Sequence, residues 1–336
     1  FKSIDSAKIK ITYSIISLIT IFTFYLKRND SFLRGLNKIN LYNKWNSIVY
    51  LINGTLIIIL IFFKVSFYNL VVINQLIILI GSLRNFYLLN SLLKKKISFF
   101  SFRWRQVEIK KIWSPTWRTG LVSISSTGTQ SLISILVPRF FGISVGGSYL
   151  FTMKIIQIIN ELSYAPFYSH LPKYISDYKE GLNSKNKKNI LFGIRNSLIF
   201  LMVGVTILSI FIETFLIYID SNMSFLQKSM IQLILISLIF ERTAGMISQI
   251  IMISNKINYF LGYIFASISL LVLMTFFSEF GILIIPISIS IIYFLLIIYL
   301  IRFVKNTINL RFNDIKNILV LVLSILIFSL FIINNE

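Results

Sequence analysis

The chain has 336 residues, of which 56% are hydrophobic and only 13% are charged, and its mean hydropathy is +0.81. A soluble domain usually carries about a quarter charged residues, so the composition excludes an ordinary soluble protein and indicates an integral membrane protein. Cysteine is absent, which excludes disulfide bonds and thiolate metal sites. A net charge of +21 would suggest nucleic-acid binding in a soluble protein, but here the basic residues follow a pattern typical of membrane topology.

Long apolar stretches recur along the chain without alternation of polar and apolar residues, so they predict transmembrane helices and not β-barrel strands. Ten helices are predicted, at Ile9–Leu26, Asn46–Phe63, Phe67–Leu89, Thr119–Val137, Val145–Tyr168, Ile190–Ile219, Phe225–Ile253, Tyr259–Phe277, Ile282–Ile301 and Ile315–Ile333. The predicted fold class is an all-α polytopic membrane protein. Because the chain starts at Phe1 and no signal peptide precedes the first span, we expect a fragment that lacks its natural N-terminus.

The basic residues are concentrated in every second connecting segment, namely 27–45, 94–118, 173–195, 254–258 and 302–316. By the positive-inside rule these segments are predicted to be cytoplasmic. The most basic of them, Lys94–Arg118, also contains six Phe and Trp residues. We predict a connector whose aromatic side chains lie at the headgroup level and whose cations contact anionic membrane lipids. Nucleic acid is not an expected partner.

The tetrapeptide Asn-Lys-Ile-Asn occurs at 37–40 and again at 255–258, each time just before an apolar span and six predicted helices apart. This repetition favours a duplicated six-helix unit, as in transporters built from internal repeats. Four parts are therefore predicted: the C-terminal half of a first lobe at 1–93, an inter-lobe connector at 94–118, a second six-helix lobe at 119–305 and an extra C-terminal helix at 306–336.

Several sequence patterns occur in an order that resembles the polysaccharide transporters of the MOP superfamily, the Wzx-type O-antigen and capsule flippases. They are IWSPTW at 112–117 entering a helix with polar residues, FGISVGGSY at 141–149 between two helices, Ala165-Pro166 and Leu171-Pro172-Lys173 before a charged loop with Gly181, and LRGLNK at 33–38 in the first lobe. The last predicted helix departs from the family, because it would be a thirteenth where twelve or fourteen are usual.

The resemblance implies a MATE/MOP-like helix bundle with two six-helix lobes that face each other across a central cavity and rock between inward-open and outward-open states. It also implies a cargo, undecaprenyl-pyrophosphate-linked oligosaccharide, that is flipped across the bacterial cytoplasmic (inner) membrane for O-antigen (lipopolysaccharide) or capsular polysaccharide biosynthesis. The polysaccharide polymerase machinery is a candidate partner under this resemblance. No cofactor is expected.

Charged residues predicted near mid-membrane are the first candidates for cargo binding, because such charges are costly unless they have a function. Lys154 and Glu161 lie two turns apart on one helix, and Glu241 and Arg242 are adjacent on another, pointing about 100° apart. A buried cation would neutralise the pyrophosphate, so Lys154 and Arg242 are candidate cargo contacts. The alternative is an ion pair, such as Lys154 with Glu241, that only fixes helix packing.

Three further candidates are weaker. Arg139 lies at the outer end of its predicted helix, and Arg84 lies in the inner turn of the third predicted helix. Gln130 belongs to a polar helix face formed by Ser123, Ser126, Thr127, Gln130 and Ser134. That face either lines a cavity for sugar hydroxyls or lets helices approach closely through small residues.

Three functions other than flipping fit the sequence less well. Enzymatic chemistry is not supported, since the sequence shows no Ser/His/Asp set, no paired carboxylates with metal spacing and no Gly-rich phosphate loop. A cation-coupled small-molecule or drug exporter of the same superfamily is the first alternative, and it would have a net acidic cavity. A membrane glycosyltransferase or polymerase would need large outer loops, whereas the predicted outer loops are short.

Overall fold

A computed structural model describes residues 6–36, 38–93, 106–180, 184–218, 225–254, 257–308 and 313–320, together with 323, 324 and 327. Three sequence predictions fall partly outside these residues. They are the first half of the connector, at 94–105, both copies of the repeated tetrapeptide, and the end of the last predicted helix.

Within the described ranges the chain is helical and contains no β-strand. The α-helices are α1 (Ser6–Leu26), α2 (Arg28–Gly35), α3 (Ile39–Phe62), α4 (Phe67–Leu93), α5 (Gln106–Ser123), α6 (Thr129–Phe141), α7 (Ile143–Leu162), α8 (Ala165–Tyr168), α9 (Leu171–Glu180), α10 (Ser184–Tyr218), α11 (Lys228–Ile253), α12 (Phe260–Phe276) and α13 (Ile284–Ile308). A π-helical segment, Ile124–Gly128, joins α5 to α6, and a 3₁₀ turn, Ser278–Phe280, follows α12. Residues 313–320 are also helical.

Seven helical stretches of the described chain are long and apolar enough to cross a membrane: Lys8–Leu33, Leu41–Phe62, Phe67–Leu93, Trp113–Phe141, Lys187–Ile212, Lys228–Ile253 and Ile284–Lys305. The prediction of an all-helical, multi-pass membrane protein is confirmed at this level. Helix α12 is apolar but shorter. Helix α7 is not among the seven, because polar residues interrupt its apolar sequence.

Several helix boundaries differ from those predicted. Helix α5 begins at Gln106 and not at Thr119, so the second half of the predicted connector is helical. The prediction began the helix where the apolar residues begin, but a helix can extend beyond the bilayer into a charged segment. The predicted helix Val145–Tyr168 is divided, since α7 ends at Leu162 and α8 begins with Pro166 in its first turn. Proline has no N–H and suits the start of a helix but not its interior.

The chain divides into two compact units, Phe1–Trp104 and Arg105–Glu336. The division falls inside the predicted connector. In the first unit α4 packs against α1, α2 and α3. A polar network joins three of these helices, because Asn85 Nδ2 donates to Asp30 Oδ1 at 2.8 Å and the Tyr42 hydroxyl donates to Asp30 Oδ2 at 3.3 Å.

In the second unit α11 lies at the centre, with fifteen of its 26 residues buried. It packs mainly against α13 and also against α10, while α12 packs against α13. Glycines allow the closest approaches. A Cβ at Gly262 of α12 would lie 2.5 Å from Tyr299 Cε1, and one at Gly204 of α10 would lie 2.5 Å from Ile159 Cγ2. Small residues at helix crossings are typical of membrane bundles.

The described segment 313–320, which includes the start of the last predicted helix, is packed into the second unit. Ile315, Ile318 and Leu319 are buried in the core of that unit. Asp314 forms an ion pair with Lys187 at the start of α10, with 2.6 Å between Oδ2 and Nζ. This segment therefore contributes to the same core as α10–α13.

Candidate functional site

A cavity of about 560 Å³ lies inside the second unit, between α6, α7, α11 and α13. Its volume falls within the range of about 300–1,000 Å³ that is typical of small-molecule sites. Most of its wall is apolar. Apart from Tyr149, the polar side chains that line it are Gln130, Ser134, Lys154, Gln157, Asn160 and Glu241. A few convergent polar groups on an apolar wall are the usual composition of a binding site.

Helix α7 supplies three of these polar side chains. Lys154, Gln157 and Asn160 are spaced three residues apart, and such a spacing places side chains along one side of a helix. One side of α7 thus carries the polar groups that face the cavity.

A tight α6–α7 hairpin brings that polar face opposite α6. Gly142 in the turn has φ +87°, a conformation that glycine adopts without the steric penalty of a side chain. One helical turn later, a Cβ at Gly146 would lie only 2.6 Å from Pro138 Cα. The two helices are therefore in contact at their backbones near the turn, and this contact sets the width of the cavity.

The π-helical segment Ile124–Gly128 sets the direction of α6. An extra residue in a helical turn rotates everything after it by about 100° relative to an uninterrupted helix. The Ser125 carbonyl in this segment accepts hydrogen bonds from the Thr129 hydroxyl at 2.5 Å and from the Ser267 hydroxyl of α12 at 2.7 Å. The segment is thereby fixed against α12. Gln130 follows directly and points into the cavity.

Glu241 and Lys154 bring opposite charges to the cavity. Gln130 Nε2 donates to Glu241 Oε1 at 2.5 Å. Lys154 is exposed and forms neither an ion pair nor a hydrogen bond with any other described residue. The predicted alternative, an ion pair between Lys154 and Glu241, is therefore absent from the described structure. The cavity holds an ammonium group that forms no ion pair within the part of the chain that the structure describes.

Arg242 is next to Glu241 in the sequence but points away from the cavity. Its side chain is 1% exposed, and its Cζ lies 3.1 Å from the centroid of the Tyr164 ring. Nη2 donates to both the backbone carbonyl and the side-chain Oδ1 of Asn160, whereas Nε and Nη1 are buried without a partner in the described structure. Adjacent helical residues diverge by about 100°, and the fold directs the carboxylate, not the guanidinium, toward the cavity.

Three other predicted site residues do not line this cavity. Glu161 is exposed near the end of α7; it shares a face with Lys154 but lies about 10 Å further along the helix axis. Arg139 is exposed near the end of α6. Arg84 belongs to the first unit, where it donates to the Trp45 carbonyl and to Asn46 Oδ1, the latter at 2.5 Å. Its guanidinium ties α4 to α3.

The sequence prediction missed Gln157, Asn160 and Tyr164. The first two could have been found, because they follow Lys154 at helical spacing on the same face. The contact of Tyr164 with Arg242 had no such signal, since the two residues are far apart in the sequence and Tyr164, between α7 and α8, meets α11 only in the folded chain.

Comparisons of the chain with protein-family models, with curated proteins and with solved structures found no match. The patterns at 112–117 and 141–149 therefore remain a resemblance, and the chemistry of the cavity is the physical evidence about function.

Proposed function

We propose that the chain is part of a two-lobe membrane transporter that flips undecaprenyl-pyrophosphate-linked oligosaccharide from the cytoplasmic to the outer leaflet of the bacterial cytoplasmic membrane by alternating access. The observation that supports this proposal is the cavity of the second unit, with the unpartnered Lys154 in its wall. The orientation that places Lys94–Arg118 in the cytoplasm is part of the proposal and is supported by the alternation of basic segments.

The charge of Lys154 is the physical reason to expect a polar cargo. A charged side chain within a membrane-spanning bundle is costly, and it usually faces a cavity in which it meets a partner or a substrate. Phosphate or an acidic sugar would supply the missing anion, and the amide and hydroxyl groups of the wall would bind sugar hydroxyls. A volume of about 560 Å³ suits a polar headgroup, while the polyprenyl tail stays in the hydrocarbon region.

Glu241 supports the cation-coupled exporter as a second candidate. Its carboxylate lies in the same cavity, paired with Gln130 at 2.5 Å, where it could take up a coupling ion. The described wall carries one cation and one carboxylate, so charge alone does not separate the two functions. Their substrates do, because a flippase moves a lipid-linked glycan, whereas the exporter moves a free small molecule or drug at the expense of a coupling cation.

Gly147 offers a test that leaves every charge in place. Gly147 lines the cavity, and nothing lies within 4 Å of a Cβ built on it. We expect Gly147→Phe to occupy part of the cavity, while Gly147→Ala leaves it open. An overlap with cargo that costs about 1–3 kcal/mol would lower cargo affinity by about fivefold to 150-fold.

The assay measures surface glycan and accumulated lipid-linked precursor in cells that depend on this protein, with both variants matched for membrane abundance. Loss of surface glycan and accumulation of precursor in Gly147→Phe alone would support the flippase. Normal glycan export in Gly147→Phe would remove the cavity from the cargo path. If glycan export is normal and cation-dependent efflux of small cationic compounds is lost, the exporter is the better assignment.

A further inference from the structure

Asn160 lines the cavity and also contacts Arg242. These two contacts fix which way its amide faces. An arginine side chain has five N–H donors and no acceptor. The Asn160 atom that meets Arg242 Nη2 must therefore be the carbonyl oxygen. With Oδ1 held by Arg242, the group left to point into the cavity is the NH₂ group, which only donates hydrogen bonds.

The α7 wall of the cavity thus presents donors. Lys154 contributes three N–H donors and no acceptor, and Asn160 contributes its NH₂ group about 9 Å further along the same helix. Gln157 lies between them.

The opposite wall has the reverse character. Gln130 Nε2 is already committed to Glu241, and an ionised carboxylate only accepts hydrogen bonds. The groups that remain free there are two acceptors, Gln130 Oε1 and the second oxygen of Glu241, and one donor, the second N–H of Gln130 Nε2. Donors therefore predominate on the α7 wall, called here the donor wall, and acceptors predominate on α6 and α11, called here the acceptor wall.

We infer that the α7 wall is a subsite for an anionic group, a carboxylate or a phosphate, and that Arg242 is a positioning residue that holds the Asn160 amide with its donors toward that anion. The acceptor wall binds the hydroxyl or N–H groups of the same ligand. This inference rests on the proposed function in one respect, namely that cargo enters this cavity. The anion has two sources, the pyrophosphate linkage and an acidic sugar.

One substitution tests whether the anion meets the Asn160 amide. Asn160→Asp keeps an acceptor for Arg242, and the contact becomes a charge-assisted hydrogen bond. It also replaces the NH₂ group facing the cavity with a second acceptor oxygen, so the variant is expected to remain folded and to lose the anion. The role of Arg242 is tested by its own variants: if Arg242 merely anchors α11 to α7, Arg242→Lys and Arg242→Met bind the anion equally well.

The experiment titrates the full chain in lipid nanodiscs with inorganic pyrophosphate and, separately, with glucuronate, using isothermal titration calorimetry. We expect at least one probe to bind the unmodified chain and Asn160→Asp to lose about tenfold or more in affinity, with a melting temperature no lower than that of the unmodified chain. Asn43→Asp is the matched control, because it adds the same charge at an exposed position of α3 in the first unit. Arg242→Lys retains a donor for Oδ1 and is expected to bind the probe more tightly than Arg242→Met.

The outcomes are distinct. Pyrophosphate binding assigns the subsite to the lipid linkage, and glucuronate binding assigns it to an acidic sugar. Wild-type affinity in Asn160→Asp, or no binding of either probe to the unmodified chain, overturns the inference whatever the Gly147 variants show. Conversely, anion binding that Asn160→Asp abolishes, together with normal glycan export in Gly147→Phe, would retain the subsite and reject the transport proposal.

Discussion

Two adjacent glycines in α7 provide a sharp test of the α6–α7 hairpin that forms the cavity. A Cβ at Gly146 would lie 2.6 Å from Pro138 Cα and 2.8 Å from Pro138 Cβ and Cγ, whereas a Cβ at Gly147 would have no heavy atom within 4 Å. The atoms that obstruct Gly146 belong to the backbone and to the rigid proline ring, so a rotamer change cannot relieve the overlap. We therefore expect Gly146→Ala to push α6 and α7 apart and Gly147→Ala to be accommodated.

Comparing the two variants removes the other main effect on stability, which is the helix propensity gained when alanine replaces glycine. Each substitution replaces glycine with alanine in the same helix, which favours folding by about 1 kcal/mol in both variants. Overpacking against Pro138 costs about 1–3 kcal/mol and affects only Gly146→Ala. The free energies of unfolding of the two variants should therefore differ by about 1–3 kcal/mol, which for a unit of this size corresponds to about 2–12 °C in melting temperature.

The measurement is thermal unfolding of both variants in one detergent, followed by tryptophan fluorescence. Gly147→Ala should melt at or above the temperature of the unmodified chain, and Gly146→Ala below that of Gly147→Ala. Equal melting temperatures would refute the contact between Gly146 and Pro138, and with it the geometry that sets the width of the cavity.

Three further predictions concern the same unit. Gly142→Ala should destabilise the chain by about 1–2 kcal/mol in a denaturant titration, because alanine at φ +87° brings Cβ against the backbone. An unchanged midpoint would contradict the positive φ of this turn residue. Burial, and secondly the Asp177 carboxylate, raise the pKa of Tyr174 from its usual 10 to about 12, so the stabilisation by its protonated hydroxyl is present below pH 10 and is lost as the pH rises toward 12. Unfolding midpoints measured across that window should fall less in Tyr174→Phe than in the unmodified chain, and parallel curves would exclude this titration. Lys187→Gln should cost about 1 kcal/mol or less, because its ion pair with Asp314 is partly exposed, and the difference in melting temperature should shrink at high salt; a difference that grows with salt would show that the contribution is not electrostatic.

The sequence predicted the helices well because their main determinant is local. A run of about 20 apolar residues is stable in a bilayer only as a helix, and seven such helices are present in the described chain. The ends were predicted less well, since charged residues such as those at 106–112 continue a helix beyond the apolar run. The break before Pro166 could have been read from the sequence, because proline favours the first turn of a helix.

The sequence also identified four polar residues of the cavity wall, because Ser134 belongs with Gln130 to the predicted polar face and Lys154 and Glu241 were predicted as intramembrane charges. Gln130, Lys154 and Glu241 are conspicuous because polar side chains are costly within apolar helices, and the divergence of Glu241 from Arg242 follows from helix geometry alone. Asn160 lies at helical spacing from Lys154, but nothing in the sequence pairs it with Arg242.

Only the tertiary structure decided which of the two adjacent charges faces the cavity. Helices such as α3, α4, α11 and α13 carry apolar residues on every side, so their sequence periodicity does not show which face meets a neighbouring helix and which faces an internal space. That choice depends on backbone contacts such as Gly146 against Pro138, and on the π-helical turn that rotates α6. The sequence thus determined that charged residues lie within apolar helices. Helix packing determined that Lys154 has no partner among the described residues, while Arg242 is buried against Asn160 and Tyr164.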